Sequence, residues 1–360
     1  MRPLTAARRR PRRGRSRVGR VLISLTLLLI VAFSALAAVG WYRFMRPEHD
    51  IVAGKPVVLT IPSGSSTASI GLLLTSSGVV PNSSMFRWQA KRSGSDGKLR
   101  AGEYELTTGM PVDDVLAKLQ RGPKIVSYEV MIPEGFTARQ VAARFAKQAH
   151  MDEDELLALV TRGAEEFSAS YPYLKGAHNG SLEGFLFPAT YVVKEGTTER
   201  AVIEMMLDKF DKEISGIDLG FAKSKNLTVR DVVIIASILE REAQVADEFP
   251  KVSSVLYNRM KIRMRLQICA TVLYKLPPGT TVLKLSDLKN DDPYNTYSHD
   301  GLPVGPISNP GARAIEAAAH PASTKYLYYV LTGKDGSQTF TTDYAGFLEA
   351  KKVNRKVFGQ

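Results

Sequence analysis

Cysteine is almost missing from this 360-residue chain, and Cys269 stands alone. A single thiol excludes an internal disulfide frame, so the fold must rest on core packing, which the length permits. A cysteine-nucleophile enzyme would need Cys269 with His299 or His320, and no local signature supports that pairing. Histidine is scarce as well. His49, His150, His178, His299 and His320 show no ligand spacing, so neither a metal centre nor a cofactor is expected. Acidic residues are absent from positions 1–46, which carry eleven arginines, while the rest of the chain holds 37 basic and 36 acidic residues. The net charge of +12 therefore sits almost wholly at the N-terminus. A basic groove for nucleic acid has no support in the remainder, and no nucleic-acid partner is expected.

The arginines give way to an uncharged run. Arg8-Arg-Arg-Pro-Arg-Arg-Gly-Arg-Ser-Arg17 leads into Val21–Tyr42, which contains no Asp, Glu, Lys or Arg. That run is long enough to cross a bilayer as a helix, and longer than the apolar core of a cleavable signal, although the small residues Ala35–Ala38 leave cleavage open. Trp41, Tyr42 and Arg43 form an interfacial belt beyond it. Nine arginines precede the run and only Arg43 and Arg46 closely follow, so the positive-inside rule puts the N-terminus in the cytoplasm. The expectation is a cytoplasmic basic tail over 1–20, a single transmembrane helix over 21–43, and an extracytoplasmic remainder on the cytoplasmic membrane.

Within that remainder two segments resemble each other. Val58-Leu-Thr-Ile-Pro-Ser-Gly-Ser-Ser-Thr67 and Val130-Met-Ile-Pro-Glu-Gly-Phe-Thr137 share an Ile-Pro-x-Gly turn between a strand and a helix. Tyr104, Gly109 and Val115 recur at the same spacing as Tyr191, Gly196 and Val202. The pattern predicts a duplicated α+β module over 52–125 and 126–210, followed by a mixed α+β domain over 211–360. In the last part helices are expected over 229–244 and 250–260. A long polar loop is expected from Pro277 to Pro310, then a short helix and a hairpin ending in Gln338-Thr-Phe340.

One carboxylate stands out in this region. Asp231-Val-Val-Ile-Ile-Ala-Ser-Ile-Leu-Glu240 is apolar on nearly every helical face, and Thr228 with Asp231 forms a capping box at its start. A carboxyl carried to the edge of such a core loses solvation, and its pKa rises toward the range of a general acid. The bland alternative is that Glu240 marks where the helix re-enters water. Around it in sequence lie Tyr257-Asn258-Arg259, Arg265-Leu266-Gln267, Tyr294-Asn295-Thr296-Tyr297 and Gly301–Gly311. Amides and tyrosines of this kind suit a sugar polymer, giving hydrogen bonds to hydroxyls and N-acetyl groups and flat faces for stacking.

Taken together, Ala236-Ser-Ile-Leu-Glu240-Arg-Glu242, Tyr257-Asn-Arg259, Met264-Arg-Leu-Gln267, Tyr294-Asn-Thr-Tyr297, Gly301-Leu-Pro303, Ala317-Ala-Ala-His-Pro321 and Tyr326-Leu-Tyr328 strongly resemble the YceG/MltG family of endolytic murein transglycosylases. Glu183-Gly-Phe-Leu-Phe-Pro188 looks like its midchain motif, and the resemblance runs in order over about 50–350. It implies one membrane anchor, a LysM-like region and a C-terminal catalytic domain. It implies Glu240 as the acid and base that cuts between N-acetylmuramic acid and N-acetylglucosamine, leaving a 1,6-anhydromuramyl end. The residues expected against the glycan are Ser237, Asn258, Gln267, Tyr294, Asn295 and Tyr297. The implied partners are nascent glycan strands and the membrane-bound synthases that make them, with a role in ending polymerisation. An internal nucleophile of this type needs no second carboxylate, which suits a sequence with one conspicuous acid. Glu242 is expected in a structural role, paired with a nearby arginine such as Arg259.

The chain departs from the family pattern at three places. Ile268-Cys269-Ala270 replaces Ser/Thr-Asp-Pro after Leu266-Gln267, Ala189 stands where Asp is common, and Gln338 replaces a histidine near the hairpin. These departures keep a second reading open: an anchored glycan-binding or scaffold protein without turnover.

Overall fold

The computed structural model describes residues 17–47, 50–124 and 126–359. Residues 1–16 of the basic tail, and His49, lie outside the described residues. The architecture is mixed α+β, and the chain divides into two compact units, Met1–Ile125 and Val126–Gln360.

The first unit opens with helix α1, Arg17–Met45. Among the described residues one stretch is long and apolar enough to cross a membrane, Val21–Phe44 within α1. Strand β1 (Pro56–Ile61) pairs antiparallel with β2 (Gly102–Thr107), so that Leu59 faces Tyr104. Helices α2 (Thr67–Ser76) and α3 (Ser83–Arg92) lie between the strands in sequence, and α4 (Val112–Arg121) follows β2. Ser66 and Asn82 cap α2 and α3 by accepting backbone N–H bonds. The core of this unit gathers Ile70, Leu74, Phe86, Leu106, Val115 and Leu119. At the end of α1, Trp41 and Phe44 meet the ring of Trp88 edge-on, with centroids 6.4 and 6.3 Å apart.

The second unit begins with a similar strand–helix–helix order, but a single-turn helix and two 3₁₀ turns come before its second strand. Strand β3 (Ser127–Met131) leads to α5 (Ala138–Ala149), α6 (Glu153–Arg162) and the single turn α7 (Ala164–Phe167). Strand β4 (Thr190–Lys194) then pairs antiparallel with β3, and α8 (Glu199–Ser215) follows. Helices α9 (Gly220–Ser224), α10 (Val229–Glu242), α11 (Phe249–Lys261) and α12 (Cys269–Leu273) come next. The long loop from 277 to 310 contains only one short turn of 3₁₀-helix, Asp287–Lys289. The chain ends with α13 (Ala312–Ala319), the hairpin β5 (Tyr328–Leu331) and β6 (Gln338–Thr341), and α14 (Tyr344–Phe358).

Residues 126–210 and 211–360, read from the sequence as separate blocks, share one continuous core. Val130, Phe145, Phe185 and Leu207 belong to the same cluster as Val232, Leu239 and Ile315. Helix α10 runs through the middle of that cluster with Val232 to Leu239 all buried. Neither block could be removed without exposing apolar surface of the other.

Candidate functional site

Helix α10 starts where the sequence says it should. Asp231 N–H donates to Thr228 Oγ1 at 3.3 Å and Thr228 N–H donates to Asp231 Oδ2 at 2.8 Å, a reciprocal cap that satisfies two otherwise orphaned donors. Its last turn leaves the core, and Glu240 emerges half-buried. Glu240 Oε2 accepts the backbone N–H of Gly311 at 3.0 Å, and Oε1 has no hydrogen-bond partner among the described residues. Burial pushes the Glu240 carboxyl above the usual carboxylate range. The Gly311 bond and the charges of Arg313 and Arg241 oppose that shift, and the charge of Glu134 adds to it.

The loop that brings Gly311 here is fastened by Ser237, one turn earlier on α10. Ile307 N–H donates to Ser237 Oγ at 3.1 Å, and Ser308 Oγ donates to the Ser237 carbonyl at 3.1 Å. Asn309 ties in two further segments. Its Oδ1 accepts from the N–H groups of Gly184 and Leu186, both at 2.9 Å, and its amide donates to the Phe136 carbonyl at 2.9 Å and to Glu183 Oε1 at 3.2 Å. The backbone N–H of Gly135 donates to the Asn309 carbonyl at 2.9 Å. The Ile132-Pro-Glu-Gly135 turn, the 183–187 loop and the 307–311 loop thus close on the end of α10 as one hydrogen-bonded frame.

Glu183 is the buried post of that frame. It is 2% exposed, accepts the Ala138 N–H at 2.9 Å and the Tyr274 hydroxyl at 3.0 Å, and burial pushes its carboxyl up to about 8. In the turn opposite Glu240, Glu134 is exposed and its carboxylate fills the space that a Cβ on residue 311 would need. The sequence reading singled out neither Glu134 nor Asn309. The signal for Glu134 was the repeated Ile-Pro-x-Gly turn, where the variable position is Ser63 in the first copy and Glu134 in the second.

The residues expected against a glycan fall into two groups. Ser237 is fully enclosed, with its hydroxyl also donating to the Ile234 carbonyl at 2.7 Å. Asn258 donates to the carbonyls of Thr324 and Tyr326 at 3.0 and 2.9 Å. Tyr294 is buried against Tyr274 and His178, and Asn295 is buried with its amide on the Asn290 carbonyl at 2.8 Å and its Oδ1 on the Tyr297 N–H at 2.9 Å. Ser237 and Asn295 spend their polar groups inside the protein, the Asn258 amide is spent on two carbonyls, and Tyr294 packs its ring in the interior. Gln267 and Tyr297 remain accessible. Gln267 is exposed at a left-handed backbone position, φ 50°, and Tyr297 places its hydroxyl 3.1 Å from the sulfur of the exposed Cys269.

Glu242 does not pair with an arginine. The Tyr329 hydroxyl donates to its Oε2 at 3.0 Å, while Arg259 spends its guanidinium on the carbonyls of Leu327 and Leu266 at 2.7 and 2.6 Å. Burial raises the Glu242 carboxyl as well. Gln338, one of the three departures from the family pattern, donates from Nε2 to the Glu242 carbonyl at 2.7 Å and so closes the end of α10. Among the described residues no group of three His, Cys, Asp or Glu side chains is placed to hold a metal ion.

Comparison with known proteins places the chain in a family. A sequence profile of the YceG-like family matches residues 59–353. An endolytic murein transglycosylase of Bacillus subtilis is 32% identical over 305 residues, covering 82% of this chain and 84% of the relative. An endolytic murein transglycosylase of Streptococcus pneumoniae is 29% identical over 343 residues, covering 87% of this chain and 62% of that longer protein. The crystal structure of a YceG-like protein from Listeria monocytogenes superposes with a TM-score of 0.56 at 32% identity, covering 82% of this chain and 99% of that one. The profile spans most of the chain, including Glu240 and the whole frame around it, and the chain belongs to the YceG-like family.

Proposed function

We propose that this protein is a membrane-anchored endolytic murein transglycosylase with Glu240 as its general acid and base. The observation that carries the reading is the state of that side chain. One oxygen is fixed by the Gly311 N–H, the other is unpartnered, and the group sits half-buried at the end of an apolar helix. Such a carboxyl holds its proton more tightly than an exposed glutamate and can deliver it. It protonates the glycosidic oxygen between N-acetylmuramic acid and N-acetylglucosamine. The carboxylate formed then takes the proton of the muramyl 6-hydroxyl, whose oxygen bonds to C1 and closes the 1,6-anhydro ring. No water is consumed, and Glu240 ends as it began.

The relatives' names support the substrate class, and the length and apolarity of α1 support an anchor with the arginine-rich end in the cytoplasm. The strand–helix–helix–strand order of 56–107 supports a LysM-like reading of the region over 52–125, and its recurrence after residue 126 supports duplication. Glycan strands emerging at the membrane and the synthases that make them are the partners this placement suits, with cleavage ending or releasing new strands.

The test is mass spectrometry of glycan strands treated with the full chain in detergent. Anhydromuramyl ends, lighter by one water than hydrolysed ends, are expected from the wild type and not from Glu240→Gln. Equal yields from both would overturn the assignment of Glu240. A specific observation favours one other reading: Cys269 stands where the resembled family carries Asp. A glycan-binding protein without turnover would retain strands on the membrane and give no anhydro product.

A further inference from the structure

We propose that Glu134 is a positioning residue for Glu240, its carboxylate seated over Gly311 beside the backbone donor that fixes the Glu240 side chain. The inference rests on Glu240 as the acid, and it deepens that reading.

The contact is built by two facing glycines. Gly311 has an ordinary backbone conformation, φ −79°, yet a Cβ there would collide with Glu134 Oε1. Gly135 has φ 76°, and a Cβ on it would lie 3.5 Å from Glu240 Cγ. The backbone bond from Gly135 N–H to the Asn309 carbonyl, at 2.9 Å, keeps the two turns in register. The Glu134 turn therefore closes onto Gly311 at the residue whose N–H holds Glu240. Among the described residues Glu134 has no hydrogen bond or ion pair of its own, so its charge is not neutralised by a local partner.

Four features act on the Glu240 proton besides burial. Glu134 approaches from the β3–α5 turn and Arg313 from α13, while Arg241 lies on the same helix and the Gly311 N–H favours the charged form. Glu134 is the sole negative member of that set. Removing its charge leaves two arginines and a backbone donor, all of which favour early loss of the proton. The same repulsion serves the second half of the reaction. Once Glu240 has protonated the glycosidic oxygen, a carboxylate beside Glu134 is a stronger base for the 6-hydroxyl proton than one facing only cations.

The experiment is titration of the Glu240 carboxyl in the full chain in detergent micelles, by NMR with side-chain carbon-13 glutamate. The Glu240 signal is assigned by its loss in Glu240→Gln. Glu134→Gln, which keeps the size and removes the charge, is expected to move the Glu240 titration to lower pH, and Gly311→Ala, which pushes Glu134 away, to move it the same way. An unchanged Glu240 midpoint in Glu134→Gln overturns the proposal. In the glycan assay Glu134→Gln should move the alkaline limb of the kcat/KM profile to lower pH with KM held. A uniform loss at every pH, or a matching loss of thermal stability, indicates a merely structural residue and also overturns it. A wild type without anhydro product would defeat the proposed function, and the NMR titration would still decide the pairing.

Discussion

Glu240 and Gly311 are 71 positions apart in sequence and meet through one hydrogen bond of 3.0 Å from a backbone N–H to a carboxyl oxygen. Neither group is unusual alone. Their union depends on Ser237, which fastens the 307–308 segment to α10 one turn before Glu240. The bond favours the ionised carboxyl and burial favours the neutral one, and burial dominates. The group therefore gives up its proton less readily than an exposed glutamate, the direction that the proposed acid role needs.

Glu240→Gln is expected to lower the rate of anhydro-end formation by roughly 10²–10⁴-fold, the usual contribution of a general acid and base. Its fold should persist, since glutamine keeps the acceptor for Gly311. In the wild type the reactive form is the protonated one, so activity should fall as pH rises through the elevated Glu240 pKa. A profile of initial rate against pH, read by mass spectrometry of the ends, checks both points.

Glu183 makes stability depend on pH. Its carboxyl titrates at about 8 in the folded chain against 4.5 when exposed, so the folded state binds the proton more tightly. The stabilisation is complete below pH 4.5 and is lost as pH rises toward about 8. Thermal unfolding midpoints should therefore decline across that window, and Glu183→Gln should flatten the decline. Glu183→Ala leaves the Ala138 N–H, the Asn309 amide and the Tyr274 hydroxyl short of a partner, and should cost about 3 kcal/mol or more.

Cys269 is exposed as a residue, but its thiol lies beside Glu242 and the Tyr297 hydroxyl, where partial desolvation and the Glu242 charge raise its pKa. Restoring the family's residue with Cys269→Asp would set a second carboxylate next to one that burial already strains. The variant should be less stable by about 1 kcal/mol at pH 8, where both groups seek to ionise, and by less at pH 5. Thermal unfolding at the two pH values distinguishes this from a penalty independent of charge.

The chain has two tryptophans, Trp41 near the end of α1 and Trp88 on α3. Trp88→Phe isolates Trp41, which should be quenched by brominated acyl chains in reconstituted vesicles more strongly than by iodide in solution. Protein extracted from membranes should retain α1 in its intact mass. Loss of that segment would identify it as a cleaved signal.

Much of this site could be read from the chain. The Thr228–Asp231 cap, the apolar run to Leu239 and the emergence of Glu240 are local, set by residues within a few turns of one another. The α+β character followed from turn residues and short apolar periods in the same way. Glu242 shows where local reasoning stopped. Two steps along a helix correctly separate it from Glu240, but its partner is Tyr329 at 3.0 Å, 87 positions away, and Arg259 is spent on carbonyls. The polar clusters were recognisable as chemistry, yet packing decided that Ser237, Tyr294 and Asn295 are buried and that the Asn258 amide bonds to carbonyls some 66 positions away.

The sequence by itself determined the helix that carries Glu240, the apolar N-terminal span and the near-neutral charge of everything after it, because each depends on neighbours along the chain. Only the tertiary structure decided that Glu134 sits beside Glu240 and that residues 126–210 share a core with residues 211–360. Those outcomes depend on how three loops distant in sequence pack around one buried helix, and on two glycines small enough to let the loops meet.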